Sequence, residues 1–319
     1  MFASGEFAVP TVRWLASSGH EIAALVSQPS RPSGRGRVAA PTPAAACAAA
    51  LGITVAESED VNASDFVDRI RALDAQLGIV IAFGQKLGGG LLAAARCGCV
   101  NLHGSLLPKY RGAAPIAWAI LCGEDATGVS VFRLAGRMDA GAILVTRETA
   151  IGRDETAGEL HDRLALLGPE AIAEAVAMFE GEADPAGQAQ DDRRASIAPK
   201  LTKQAGRIDF RRASVSLARH IRAMTPWPGA RCLFCSADGR HREEVALCRA
   251  RACEGQPDRV PRGEVGQVLD TGEVLTGDGT LEILSVQPTG KRVMAWQDFV
   301  NGRHVRPGDR FASLPSNNS

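Results

Sequence analysis

Short apolar runs alternate with stretches of helical spacing over the first 180 residues. Residues 8–19 carry apolar side chains every three or four positions, 21–27 read as a strand, and 44–51 form an alanine-rich helix. Further strands are expected at 76–83 and 98–103, with helical segments at 63–73 and 86–95 between them. This alternation predicts a parallel sheet with helices on both faces, an α/β doubly wound arrangement whose ligands sit at the carboxyl ends of the strands. A helix at 115–122, strands near 128–134 and 142–149, and one long amphipathic helix over about 155–181 complete that domain. The polar, turn-rich stretch from Gly181 onward marks its end. Beyond residue 206 the texture changes. A helix at 213–223 precedes short alternating stretches at 231–235, 244–250, 264–269, 272–276 and 280–286, which predict a small OB-like β-barrel. The expected layout is therefore a first domain over 1–185, a linker over 186–205 and a barrel domain over 206–319.

Composition narrows the class. The chain has 319 residues, 45% of them hydrophobic, and a formal net charge of zero. That length and apolar content support a substantial core. No run approaches the roughly 18 to 20 apolar residues needed to span a bilayer, and the N-terminus lacks the order of a secretory signal, so a cytoplasmic protein without membrane contact is expected. The eight cysteines are sparse for this length, and no disulfide framework is implied. Charge is uneven: acidic residues outnumber basic ones up to residue 199, and the balance reverses after it, a modest hint of a polyanion-binding segment.

The candidate chemistry concentrates around Asn101-Leu-His103-Gly-Ser105-Leu106-Leu107-Pro108-Lys-Tyr-Arg111. Positions i and i+2 of a strand share a face, so an amide and an imidazole would converge on one small volume at a strand end. An amide donor beside a titratable base suits acyl transfer. Farther along, Arg137-Met-Asp139-Ala-Gly141 offers a lone carboxylate before a glycine turn. Taken singly, a strand-end histidine is more often structural, and an Asp before such a turn usually just caps it. No local rule brings Asp139 to His103.

The full string from Asn101 through Arg111-Gly-Ala-Ala-Pro115 is more specific, and it resembles the folate-dependent formyltransferases, in particular the branch acting on methionyl-tRNA. The likeness extends over nearly the whole chain. It includes Gln28-Pro-Ser-Arg31-Pro-Ser-Gly34-Arg35-Gly36-Arg37, Gly206-Arg-Ile-Asp209, Pro226-Trp227-Pro228-Gly229, Thr276-Gly-Asp-Gly279 and Gln287-Pro-Thr-Gly290-Lys291-Arg292. The resemblance implies a Rossmann-like, mostly parallel sheet of the formyltransferase fold followed by the OB-like barrel. It also implies transfer of a formyl group from 10-formyltetrahydrofolate to the α-amine of methionine on initiator tRNA. His103 is then the candidate base, Asn101 the donor to the formyl oxygen, and Asp139 the group that orients His103 or stabilises its charge, directly or through water. Ser105, Leu106, Leu107 and Pro108 would line the folate site, and the backbone around Ile81, Phe83, Gly84 and Gln85 would bond the pterin edge. Arg31, Arg35 and Arg37, on a loop over 27–43 that is long for a structureless connection, would contact the acceptor stem, with Lys291 and Arg292 adding contacts from the barrel. No metal is required, and a monomer is expected.

The pattern breaks in three places. Met1-Phe2-Ala3-Ser4-Gly5-Glu6-Phe7 begins where the family's first, central strand should be ending, so that strand is expected to be largely missing and the start misassigned. Ser30 stands where the family's basic loop usually carries an acidic residue. Cys232, Cys235, Cys248 and Cys253 suggest zinc, but positions i and i+3 of one strand face opposite sides, which argues against a shared ion. Two other readings compete: a formyltransferase for an amino sugar nucleotide, and a catalytically impaired tRNA-binding paralogue.

Overall fold

The computed structural model describes residues 1–33, 38–253 and 263–315. The chain forms two compact units. The first comprises Met1–Pro115, Ala126–Ala150 and His161–Ala198, and the second Ile116–Asp125, Ile151–Leu160 and Pro199–Ser319.

The first unit is organised by a seven-stranded sheet of β1 (Phe2–Ala3), β2 (Leu25–Ser27), β3 (Val55–Glu57), β4 (Gly78–Ile81), β5 (Cys99–His103), β6 (Ala126–Arg133) and β7 (Ile143–Ala150). Its order is β7-β6-β5-β4-β1-β2-β3. Pairing is parallel from β3 through β5, and β6 and β7 run antiparallel to their neighbours. Strand alternation sends Phe2, Val26 and Val80 to one face, where they form a core with Phe66 and Val67 of α3 (Ser64–Arg71) and with Leu91. On the other face Leu102 lies beside Gly168 at the start of α7 (Gly168–Gly181) and Thr11 of α1 (Val9–Ser17). Helices therefore cover both sides, as the alternation predicts.

The central strand β1 is two residues long. Phe2 pairs with Val26 and Val80, Ala3 pairs with Ile81, and the Met1 ammonium donates to the Ala24 carbonyl at 2.8 Å. Burial lowers the pKa of that amine to about 6. A cavity of about 300 Å³ lies beside Met1, bordered by Ala24, Leu77 and Gly78 of the two flanking segments. The single helix read over 155–181 is two, Ala157–Ala165 and Gly168–Gly181. Pro169 cannot donate a backbone bond, and a Cβ at Gly168 would lie 2.7 Å from Thr11 Oγ1 and 2.9 Å from Leu102 Cδ2, so the chain turns there against a surface that admits only glycine.

The stretch read as a linker is partly built into the first unit. Ile197–Ala198 pairs in parallel with Arg111–Gly112, and Gln188 bridges Ile143.

In the second unit α8 (Ser214–Met224) precedes an antiparallel sheet of β8 (Ala230–Cys235), β9 (Arg242–Cys253), β10 (Val274–Thr276), β11 (Gly279–Pro288), β12 (Met294–Ala295) and β13 (Arg310–Ala312). The strands run in the order β10-β11-β9-β8-β13, with β12 beside β11. Gln267 bridges Arg310 and Val268 bridges Val274, so one short segment connects the two edges and nearly closes a barrel of the OB-like kind. Phe234, Phe299 and Phe311 fill its interior with ring centroids 5.1–5.4 Å from Phe234. On β8, Cys232 is buried and Cys235 is half-exposed, as alternation requires. Burial raises the Cys232 thiol pKa, so it behaves as an apolar side chain.

Candidate active site

Strand β5 carries the two polar groups read from the sequence. Asn101 opposes Val80 on β4 and Phe132 on β6, and His103 opposes Ser130. Val100 and Leu102 fill the opposite face, which leaves Asn101 and His103 on one side of the sheet at its carboxyl end. Asn101 is half-buried, and its side-chain amide has no hydrogen-bond partner among the described residues.

His103 is buried, 7% exposed, with Phe132 edge-on at 6.4 Å. Its Nε2 lies 2.9 Å from the Tyr110 carbonyl oxygen. A carbonyl can only accept, so Nε2 carries the ring proton and Nδ1 keeps the lone pair. That nitrogen faces Asp139 Oδ2 at 3.9 Å, beyond a direct hydrogen bond. Burial lowers the His103 pKa, and the Asp139 charge and the Tyr110 carbonyl oppose the shift. The imidazole is therefore neutral and basic at Nδ1 near pH 7, with its titration moved below the ordinary histidine range.

Asp139 lies 36 positions after His103 and reaches it through β6, which runs antiparallel to β5, and the loop that follows β6. Its backbone is left-handed, with φ of 47°, and Oδ2 accepts from the Gly112 N–H at 2.8 Å. Gly112 has φ of 124°, and a Cβ there would lie 2.6 Å from the Ala198 carbonyl oxygen. The loop that anchors Asp139 thus depends on a glycine and on the 197–198 segment, neither of which was singled out from sequence.

The remaining site residues sort into internal and accessible groups. Ser105 is buried, and its hydroxyl donates to the Lys109 carbonyl at 2.7 Å. Ser130 Oγ donates to the Ser105 carbonyl at 2.7 Å and accepts from Leu107 N–H at 3.1 Å, so Ser105 and Leu107 shape the turn while Leu106 and Pro108 show partial exposure. Ile81 and Phe83 put their side chains in the core, with Phe83 against Phe2 at 5.6 Å. The backbone between and after them turns outward, with Ala82 at φ 45° and Gly84 at φ 84°, both exposed. Gln85 is occupied: Oε1 accepts from Val61 N–H at 3.3 Å, and Nε2 donates to the Ser58 carbonyl at 2.9 Å. Exposed residues at 82 and 84, where the Ala82 carbonyl accepts from the Gly5 N–H at 3.1 Å, lie in the same unit as the partly exposed apolar side chains at 106 and 108.

Arg31 is exposed on a short hairpin of Arg31–Ser33 with Val38–Ala40, whose base is held by Ser30 donating from Oγ to Glu57 at 3.0 Å. Arg35 and Arg37 lie outside the described residues. Lys291 and Arg292 are exposed in the turn after β11 of the second unit.

Two family models match this chain: formyl transferase over residues 1–176, and formyl transferase, C-terminal domain, over 200–304. A methionyl-tRNA formyltransferase of Methylococcus capsulatus is 39% identical over 308 residues, covering 97% of this chain and 97% of its own length. The chain belongs to the methionyl-tRNA formyltransferase family. A family member from Geobacter metallireducens is 38% identical, with 96% of each chain covered. Among solved structures, the sugar 3N-formyl transferase WlaRD, crystallised with dTDP and 5-N-formyl-THF, aligns with a TM-score of 0.62 at 14% identity over 91% of this chain and 97% of its own. HypX from Aquifex aeolicus, in complex with tetrahydrofolic acid, aligns at 0.55 and 21% identity over 78% of this chain and 42% of its own. At those identities the likeness concerns the fold.

Proposed function

We propose that this chain transfers a formyl group from 10-formyltetrahydrofolate to the α-amine of methionyl-tRNA, giving the formylated initiator. The observation that carries the chemistry is the group of three: a neutral His103 with its lone pair at Nδ1, a carboxylate 3.9 Å from that atom, and on the same strand face an Asn101 amide without a partner among the described residues.

The folate supplies the formyl group. The attacking amine must lose a proton as its nitrogen bonds the formyl carbon, and His103 Nδ1 takes it. Asp139 stabilises the imidazolium so formed without accepting the proton. Negative charge gathers on the formyl oxygen, where the Asn101 N–H is a suitable donor, a contact typically worth about 3 kcal/mol of barrier. As the bond from the formyl carbon to the donor nitrogen breaks, the proton on His103 returns to the leaving nitrogen. The backbone around the exposed residues Ala82 and Gly84 binds the pterin edge, and Leu106 and Pro108 support it. Arg31, Lys291 and Arg292 contribute phosphate contacts to the tRNA, in line with the basic character of the chain beyond residue 200.

Near-full-length likeness to methionyl-tRNA formyltransferases favours this acceptor over an amino sugar nucleotide, and the intact Asn101, His103 and Asp139 favour an active enzyme over a binding paralogue. On this reading the enzyme works as a monomer in the cytoplasm. Among the described residues no helix is long and apolar enough to cross a membrane.

The test offers 10-formyltetrahydrofolate with charged initiator tRNA, free methionine or an amino sugar nucleotide as acceptor. Formylation of the charged tRNA alone is expected, and His103→Ala should abolish it while sparing tRNA affinity. Turnover of the sugar nucleotide in its place, or full turnover by His103→Ala, refutes the reading.

A further inference from the structure

Gln190 belongs to the polar stretch that follows α7. Two backbone bonds between Gln188 and Ile143, of 2.9 and 2.8 Å, hold this stretch antiparallel to the start of β7. From there the Gln190 amide reaches the Asp139 loop. Its Nε2 donates to the carbonyl oxygens of Asp139 at 2.8 Å and Gly141 at 2.7 Å. Its Oε1 accepts from Arg111 Nη2 at 2.7 Å and Nε at 3.1 Å. Arg111 is buried, and its Nη1 pairs with Asp192 at 2.9 Å. The amide therefore links the two carbonyls that bracket the turn after Asp139 to a fixed guanidinium. Asp139 itself is held at φ 47°, a conformation disfavoured for a residue with a Cβ unless its surroundings impose it.

We propose that Gln190 is the positioning residue that locks the Asp139 backbone in this conformation and so aims its carboxylate at His103. The inference rests on the reading of Asp139 as the partner of His103. Gln190 touches no reacting atom and acts through Asp139 alone. The assignment requires an amide, because the position needs two N–H donors toward carbonyls and an acceptor toward Arg111. Glutamate has nearly the same shape and would still accept from Arg111, but it has no donor and would set its charge against two carbonyl oxygens.

Gln190→Glu isolates that role. In tRNA formylation with 10-formyltetrahydrofolate, kcat should fall about tenfold, the loss of one hydrogen-bonded constraint on the transition state, with KM for both substrates within about twofold. The acidic limb of the pH–rate profile should move to lower pH, because Asp139, the charged group facing His103, keeps the His103 pKa from falling further. Asp139→Asn should show the same shift, and the double variant should be no slower than Asp139→Asn alone. Gln190→Asn, which keeps both group types but cannot span the gap, should behave as Gln190→Glu does. Unchanged kcat and pH profile in Gln190→Glu beside an active wild type would overturn this assignment alone, as would losses that simply multiply in the double variant. A folded state lost in both Gln190 variants would make the residue structural and overturn it too. A wild-type enzyme that formylates no tRNA would overturn the activity reading and this assignment with it.

Discussion

Asp139→Asn is the most direct test of how the site distributes its work. Asparagine keeps the acceptor for the Gly112 N–H at 2.8 Å and is among the residues that best tolerate a left-handed backbone, so the loop at φ 47° should survive the change. Only the charge is lost. At the observed 3.9 Å from His103 Nδ1, a unit charge stabilises an imidazolium by about 1 kcal/mol in water and about 4 kcal/mol at an effective dielectric of about 20. The His103 and Asp139 side chains are 8% and 15% exposed, which places the pair toward the upper part of that range. Formation of His103-H⁺ in the transition state should therefore become between about fivefold and about a thousandfold slower. The assay is single-turnover formylation of charged initiator tRNA at saturating 10-formyltetrahydrofolate, which separates the chemical step from product release. The same substitution lowers the His103 pKa, so the acidic limb should move to lower pH as the plateau falls. A rate within twofold of wild type, with an unmoved acidic limb and an unchanged melting temperature, would refute an electrostatic role for Asp139.

Two further predictions concern stability. Gly112→Ala would force a Cβ to within 2.6 Å of the Ala198 carbonyl at φ 124°, and should cost about 2–3 kcal/mol, read as a lower calorimetric melting temperature, together with a loss of turnover as the Asp139 anchor shifts. His220 on α8 is buried with Nε2 unpartnered, and burial lowers its pKa from 6.5 to about 4. The unfolded chain therefore binds the extra proton between these values. Its contribution to stability is complete above about pH 6.5 and is lost as pH falls to about 4, amounting to about 3 kcal/mol. Urea unfolding at pH 7.5 and 4.5 should show that acid loss in the wild type and a correspondingly smaller one in His220→Leu; equal losses in both would contradict it.

Asn101 and His103 were legible because their relation is local. Two residues apart on an apolar run, they share a face whatever the rest of the chain does, and the strand read at 98–103 is realised as Cys99–His103. Asp139 was legible only through the family's motif, since its approach depends on the return of β6 along β5, a pairing that leaves no mark in the residues between them. Gly112, Gln190 and the 197–198 pairing were not legible at all. Hydrophobic periodicity reports burial of side chains, whereas these residues act by hydrogen bonds to main-chain carbonyls, and a polar stretch doing so has the composition of a linker. The site thus has two layers with different origins. A strand pattern sets the amide and the imidazole, while the carboxylate that faces the imidazole is held by non-local main-chain bonds through Gly112 and Gln190. Substitutions in the second layer should therefore alter the pH dependence and rate of the reaction while leaving the strand that carries Asn101 and His103 in place.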